Sequence, residues 1–373
     1  MFRSFALLLA LLLPSAAFAD WTACLPSDAP DLVFAADKAR KLLFQVEAKA
    51  GVPSIVRQFD CIHGRVEGDK QKEGDLKTPE GVYFITRKIT QKLDFMEYGP
   101  HAFNLNYPNP ADRLRRKTGS GIWLHSKGQP IHGITTRGCL AIDQYEISEL
   151  VPILRPGTPV VVAERVAGAP FYDAAGNALP LLLGDMPEDL PELPTGETSG
   201  SAIRDELGKP AAGETASIAS GLESAALEGT QMAPIETSAC VHAVQFMEPP
   251  YPAWCEAHTA DAALIREQTR LWMDLREQKA ERIFELYDKK AWPLSSREKF
   301  SKQQERQRRA FRSQKGFAIQ RDAMRILSGP GYWVSCFPER WDMKDGTHEG
   351  IRALYWWPEG GTYRIIGEVW IER

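Results

Sequence analysis

A mainly β domain followed by an α+β domain is the architecture that this chain of 373 residues predicts, and three observations carry it. Positions 31–165 hold short apolar segments punctuated by Pro and Gly, the pattern of strands joined by turns rather than of long helices. Between Glu164 and Cys240 there are thirteen Asp or Glu residues against three basic ones, with few aromatics. Such a stretch cannot bury enough apolar surface to offset the entropy of ordering, so it reads as an acidic disordered linker over 166–240. Beyond Val241, two stretches of helical period precede four of strand-like alternation. The length agrees, since it exceeds the range over which one hydrophobic core keeps growing.

The chain opens with a single positive charge at Arg3, an apolar run over 5–13, a break at Pro14 and the small-residue pattern Ala17-Phe18-Ala19. That order predicts a signal peptide over 1–19, cleaved after Ala19, and export of the mature chain to the periplasm. Its apolar run is shorter than the roughly 20 residues of a spanning helix, and no other stretch is apolar enough, so no transmembrane segment is expected. The formal net charge is −4, becoming −5 when Arg3 leaves with the signal peptide. The basic residues accompany an export signal and no nucleic-acid motif, so no nucleic acid is implied as a partner. All six cysteines, Cys24, Cys61, Cys139, Cys240, Cys255 and Cys336, lie beyond the signal peptide. None belongs to a C-x-x-C pair that would hold a metal. Cys240 with Cys255 is a candidate bridge, and Cys61, near Phe59 and Ile62, reads as a small buried core residue.

Within the first domain, strands are predicted at 32–34, 42–46, 55–62, 82–87 and 159–162, with one helix over 144–154. Two further stretches stand out. Gly74-Asp75-Leu76-Lys77-Thr78-Pro79-Glu80-Gly81-Val82-Tyr83 reads as turn chemistry, with Asp and Pro setting a bend that Gly81 relieves. The other runs from Gly119 through Trp123-Leu124-His125-Ser126 to Ile131-His132-Gly133-Ile134-Thr135-Thr136-Arg137-Gly138-Cys139-Leu140 and delivers a Cys from a polar loop into an apolar segment. A thiol is a strong nucleophile only as thiolate, which needs a nearby base or cation and partial exposure. His125, fourteen residues before Cys139, His132, seven before it, and Arg137 meet that need. The residues alone leave both histidines open as the base. Attack on a carbonyl builds an oxyanion, and the backbone N–H groups of Cys139 and Gly138 are the candidate donors, because Gly permits close backbone approach. Arg137 offers charge to that oxyanion or to a substrate carboxylate, or is a solvated side chain. Tyr107 and Trp123 are candidate cleft residues.

Three ordered motifs carry a resemblance: G-D-x-x-T-P-x-G-x-Y at 74–83, the stretch Tyr98-Gly99-Pro100-His101-Ala102-Phe103-Asn104-Leu105-Asn106-Tyr107-Pro108-Asn109, and H…[ST]-x-G-C ending at Cys139. Together they resemble the L,D-transpeptidase catalytic domain, also called the YkuD domain. The resemblance implies a YkuD β-sandwich-like catalytic domain over 31–165 with a helix after the cysteine loop. It implies Cys139 as nucleophile and favours His125 as base, oriented by the Ser126 carbonyl, with His132 as the substitute base. Thr136 stands where the family carries Ser or Thr, whereas the family's frequent His before Gly-Cys is replaced by Arg137. The implied substrates are peptidoglycan stem peptides. Cys139 attacks the carbonyl of the third residue, a diamino acid, and expels the terminal D-Ala as a thioester forms. An amine acceptor makes the enzyme an L,D-transpeptidase, water makes it an L,D-carboxypeptidase, and a lipoprotein lysine makes it an anchoring or releasing enzyme. A wall-binding module without catalysis is the alternative of a different class. No cofactor and no metal is implied.

In the linker, Leu181-Leu182-Leu183 is the segment expected to dock locally. Over 241–373, a helical pattern at 261–291 sets Trp272, Leu275, Ile283, Leu286 and Tyr287 near one face, and a strongly basic helix is predicted at 298–314. Strands are predicted at 324–327, 332–337, 352–357 and 363–370. Helices first and an antiparallel sheet after resemble the NTF2-like accessory domain of the Csd6-type L,D-carboxypeptidases of helical bacteria. That implies an accessory domain which binds a protein or ligand or supports the catalytic domain, and a link to cell shape. Arg306, Arg308 and Arg309 read as a solvated helix face.

Overall fold

The structure, a computed structural model, describes residues 32–49, 52–166, 251–313, 316–342 and 346–373, with two-residue strands at Ala23–Cys24, Phe171–Tyr172, Ala178–Leu179 and Leu182–Leu183. The expected signal peptide, nearly all of the expected linker and the Cys240–Cys255 pairing lie outside the described residues.

The first sheet is built from β1 (Leu32–Asp37), β2 (Leu42–Lys49), β3 (Val52–Asp60), β4 (Gly81–Lys88), β5 (Ala102–Leu105), β6 (Trp123–His125), β7 (Leu140–Ala141) and β8 (Pro159–Ala163). Their order is β3-β2-β1-β8-β4-β5-β6-β7, with Leu182–Leu183 pairing in parallel outside β3. The β1–β8 and β6–β7 pairs are parallel and the other main pairs antiparallel. All five residues of β8 are buried, as a strand covered on both faces requires. One face of the sheet packs Phe34, Leu43, Phe59, Tyr83, Ile85 and Phe103 against Ile147 and Leu150 of helix α3. Three short helices serve the loops. α1 (Phe95–Tyr98) is capped by Asp94, α2 (Pro110–Leu114) starts with an Asn109–Asp112 capping box and Pro at its first turn, and α3 (Gln144–Leu150) is capped by Asp143. The helix expected to reach residue 154 stops at Leu150, because Pro152 has no N–H to continue it.

The second domain begins with α4 (Tyr251–Glu277), a 3₁₀ turn (Glu281–Leu286), α5 (Trp292–Ser296) and α6 (Phe300–Ser313). The single long helix expected over 261–291 is therefore broken: Lys279 takes a left-handed conformation at φ 54°, and Ile283, Phe284 and Leu286 turn inward behind it. An antiparallel sheet follows, β10 (Arg325–Gly329), β11 (Tyr332–Asp342), β12 (Thr347–Glu359) and β13 (Thr362–Glu372), with β9 (Gly316–Ile319) also pairing β11. Trp272, Trp292, Phe300, Trp333 and Trp356 fill the space between these helices and this sheet.

The two domains share a third body of core. Val33, Ala35, Phe44, Val82, Phe84 and Val161 of the first sheet lie in one buried cluster with Leu327, Val334, Cys336, Ile351, Ala353 and Tyr355 of the second. The first sheet thus has the α3 layer on one side and the second domain on the other.

Candidate active site

Strands β6 and β7 run in parallel, with Leu124 opposite Leu140 and His125 opposite Ala141. Side chains alternate along a strand, so Trp123 and His125 share the face that carries Ala141 on β7. This register sets His125 opposite Ala141, two positions after Cys139, although fourteen residues separate His125 from Cys139 in the sequence. His132, by contrast, is 82 % exposed at its side chain and lies 3.9 Å from Asp60. Ile131, buried beside Ile62 and Ala141, anchors the loop and turns its neighbour outward.

Threonine hydroxyls hold the loop that carries the thiol. Thr78 Oγ1 accepts from the Gly64 N–H at 2.8 Å and donates to the Gly138 carbonyl at 3.0 Å. Thr136 Oγ1 accepts from the Gly138 N–H at 3.0 Å and donates to the Cys139 carbonyl at 2.7 Å. The Gly138 N–H, a candidate oxyanion donor from the sequence, is thus engaged inside the loop, and the Cys139 N–H is left as the candidate. Gly138 itself sits at φ 130°, and a Cβ there would lie 2.7 Å from the Lys77 carbonyl oxygen, so no side chain fits. The 74–83 stretch, read as a turn, is also the wall against which this loop is built. Asp75 accepts from Lys70 Nζ at 2.7 Å and from the Gln71, Lys72 and Lys77 N–H groups at 2.8, 2.9 and 3.2 Å. Burial opposes its ionised form, but Lys70 and those N–H groups outweigh it and hold the carboxyl well below the usual range. Glu80 takes buried Lys38 at 2.7 Å.

His125 is buried, with Nδ1 2.5 Å from the Ser126 carbonyl oxygen. That contact requires a proton on Nδ1 and leaves Nε2 as the basic nitrogen. Burial pushes the imidazole down from 6.5 to about 4, against the Ser126 carbonyl, which raises it. Cys139 is half-buried, with Sγ 3.6 Å from the Gly121 carbonyl. Burial pushes its thiol up, opposed by a backbone hydrogen bond from Trp123. Both shifts favour the uncharged pair at rest.

Tyr98 went unnoticed as a site residue in the sequence. Its ring meets His125 edge-on at 5.3 Å and Trp123 at 5.1 Å, and its hydroxyl accepts from Arg137 Nη2 at 3.2 Å. Arg137 also lies 3.9 Å from Glu97, which pairs with Lys127 at 3.0 Å. Arg65, Asp94, Glu97, Tyr98 and residues 135–137 line a groove of about 460 Å³. Tyr107 is buried in the core and bonds the Thr118 carbonyl at 2.9 Å. Among the described residues, no group of three or more His, Cys, Asp or Glu is arranged to hold a metal ion, and no helix is long and apolar enough to cross a membrane. A second cavity, of about 350 Å³, lies in the second domain between Trp272, Arg276, Gln307, Arg352 and Trp370.

The family model of the YkuD L,D-transpeptidase catalytic domain matches residues 33–162. YafK of Escherichia coli (strain K12), named as a candidate L,D-transpeptidase, is 32% identical over 90 residues, 24% of this chain and 33% of YafK. The match therefore spans about a third of that relative's length. Among solved structures, Bd1075 of Bdellovibrio bacteriovorus aligns over 94% of this chain and 96% of its own at 18% identity, with a TM-score of 0.48. The helical cell shape determining protein Pgp2 from Campylobacter jejuni aligns over 94% of each chain at 19% identity, with a TM-score of 0.44. An L,D-transpeptidase from Xylanimonas cellulosilytica covers 37% of this chain and 63% of its own at 16% identity and a TM-score of 0.26.

Proposed function

Taking residues 33–162 as a catalytic domain of the L,D-transpeptidase family, we propose that the chain is an exported cysteine enzyme acting on the diamino acid–D-Ala bond of peptidoglycan tetrapeptide stems. The observation that supports the proposal is the parallel pairing of the strand that ends in His125 with the strand that begins directly after Cys139, the His125 ring being fixed through Nδ1. Nε2 of His125 takes the thiol proton as Cys139 Sγ attacks the carbonyl of the third residue. The resulting oxyanion is met by the Cys139 N–H. Collapse expels D-Ala, whose amine takes the proton from His125, and leaves a thioester on Cys139. An amine of a second stem then attacks, His125 removing its proton, and a 3-3 cross-link forms as the thiol is regenerated. The groove beside Tyr98 suits the donor peptide, and Arg137 at its wall suits a carboxylate of that peptide.

Because both groups are uncharged at rest, proton transfer accompanies attack, which keeps an exported thiol unreactive until a substrate is seated. Water in the acceptor's position makes the same site an L,D-carboxypeptidase. The second domain is proposed to be NTF2-like, its cavity the seat of a ligand or partner, and cell shape the trait affected.

The test is mass spectrometry of disaccharide-tetrapeptide incubated with the mature protein beside Cys139→Ala. Dimers joined through two diamino acids are expected, and tripeptide alone would name the carboxypeptidase instead. If wild type and Cys139→Ala leave the substrate alike, catalysis is wrong and a wall-binding module is the better reading.

A further inference from the structure

The edge of β4 that faces β5 is bare at its start, because β5 pairs with it only from Ile85 onward. Unpaired strand edges need partners, and here side chains supply them. Asn106 Oδ1 accepts from the Phe84 N–H at 2.9 Å, and Asn109 Nδ2 donates to the Val82 carbonyl at 3.1 Å. The Phe84 carbonyl accepts from the Asn106 N–H at 3.1 Å, and the Val82 N–H is met by the second domain. The Val82 N–H donates to the Tyr332 hydroxyl at 2.8 Å, and Asn109 Nδ2 approaches the same oxygen at 3.0 Å. The Tyr355 hydroxyl accepts from Asn106 Nδ2 at 3.1 Å and lies 3.4 Å from the Val82 carbonyl. Both tyrosines are buried, and their rings stack at 6.1 Å.

Val82 is four residues from Thr78. Between them Gly81 leaves the space into which Tyr332 reaches, since a Cβ on Gly81 would lie 2.6 Å from the tyrosine oxygen. Thr78 in turn bonds the carbonyl of Gly138. That carbonyl and the Cys139 N–H belong to one planar trans peptide and point in opposite directions. Fixing the oxygen therefore fixes the direction of the N–H.

We propose that Tyr332 of the second domain is a positioning residue for the oxyanion donor, acting through Val82, Thr78 and the Gly138–Cys139 peptide. The inference rests on the reading of Cys139 as nucleophile. It makes the second domain part of the catalytic apparatus, whatever else that domain binds.

Tyr332→Phe in the full mature chain tests it, because the ring stays in its stack while the oxygen is removed. Three quantities are read: turnover of tetrapeptide, amide exchange at Val82 and Cys139, and the pH dependence of Cys139 alkylation by iodoacetamide. Expected are a fall in kcat of about tenfold with KM within about twofold, faster exchange at both amides, and an alkylation profile like wild type. Tyr355→Phe, which leaves the Val82 N–H bonded, should leave exchange at Cys139 near the wild-type rate. Unchanged kcat, or a fall without faster exchange at Cys139, overturns the proposal. Equal acceleration in both variants also overturns it, since that is general loosening of the interface. Amide exchange is read with or without turnover, so an inactive wild type counts against the function assigned to Cys139 and not against this link.

Discussion

Thr78 shows how much one hydroxyl can do. It answers a buried N–H of Gly64 and holds the Gly138 carbonyl, so Thr78→Val strands one buried donor and frees the cysteine loop. A loss of about 1–3 kcal/mol in urea unfolding is expected, with turnover down about 100-fold because a small misplacement of reacting groups is enough. His125 gives a prediction with a defined sign. Its folded pKa, about 4, lies below its ordinary value of 6.5. The unfolded chain therefore binds more protons between those values, and the stability that the neutral ring confers is complete above 6.5 and lost as pH falls toward 4. Unfolding at pH 7 and near pH 4.5 should show a loss on the order of 3 kcal/mol in wild type that is smaller in His125→Asn. The sequence exposed Cys139 and His125 because both sit in motifs with short spacing. Thr78 read only as turn chemistry, since its partner Gly138 is sixty residues away. Tyr98 left no periodic signal, because its contacts to Trp123 and His125 come from a one-turn helix.

At the scale of elements, the 64–80 loop is held by lysines that composition would have placed on the surface. Lys38, Lys70 and Lys117 are each buried, and they meet Glu80, Asp75 and Asp69 of that loop at 2.7 Å each. A buried pair is costly to break on one side only. Lys38→Met should destabilise the fold by about 3–5 kcal/mol in urea titration, and adding Glu80→Leu should recover most of that. Five strands of the first domain, β1 to β4 and β8, were legible from their apolar runs and their Gly and Pro borders, whereas the short β5, β6 and β7 were not. The extents of the helices were less so. Nothing in the periodicity of 261–291 shows that Lys279 turns left-handed, because the apolar residues after it continue on a 3₁₀ turn that packs into the same core. The pairing of β6 with β7 was hidden too, since two strands of three and two residues carry little pattern of their own.

At the scale of the whole molecule, the buried cluster common to both domains is the feature that a division into catalytic and accessory parts conceals. Residues 32–166 made alone would expose Val33, Phe44, Phe84 and Val161, which are buried here. That fragment should run as oligomers in size-exclusion chromatography and lack a cooperative melt. Order of manufacture adds a further point. The residue that takes the Val82 N–H lies 250 positions downstream of it, so for most of the time the chain is being made, that N–H of β4 lacks its partner. Contacts of such long range form late in folding. If Tyr332 positions the Gly138–Cys139 peptide as proposed, the thiol gains its aligned peptide only once the last strands have been made.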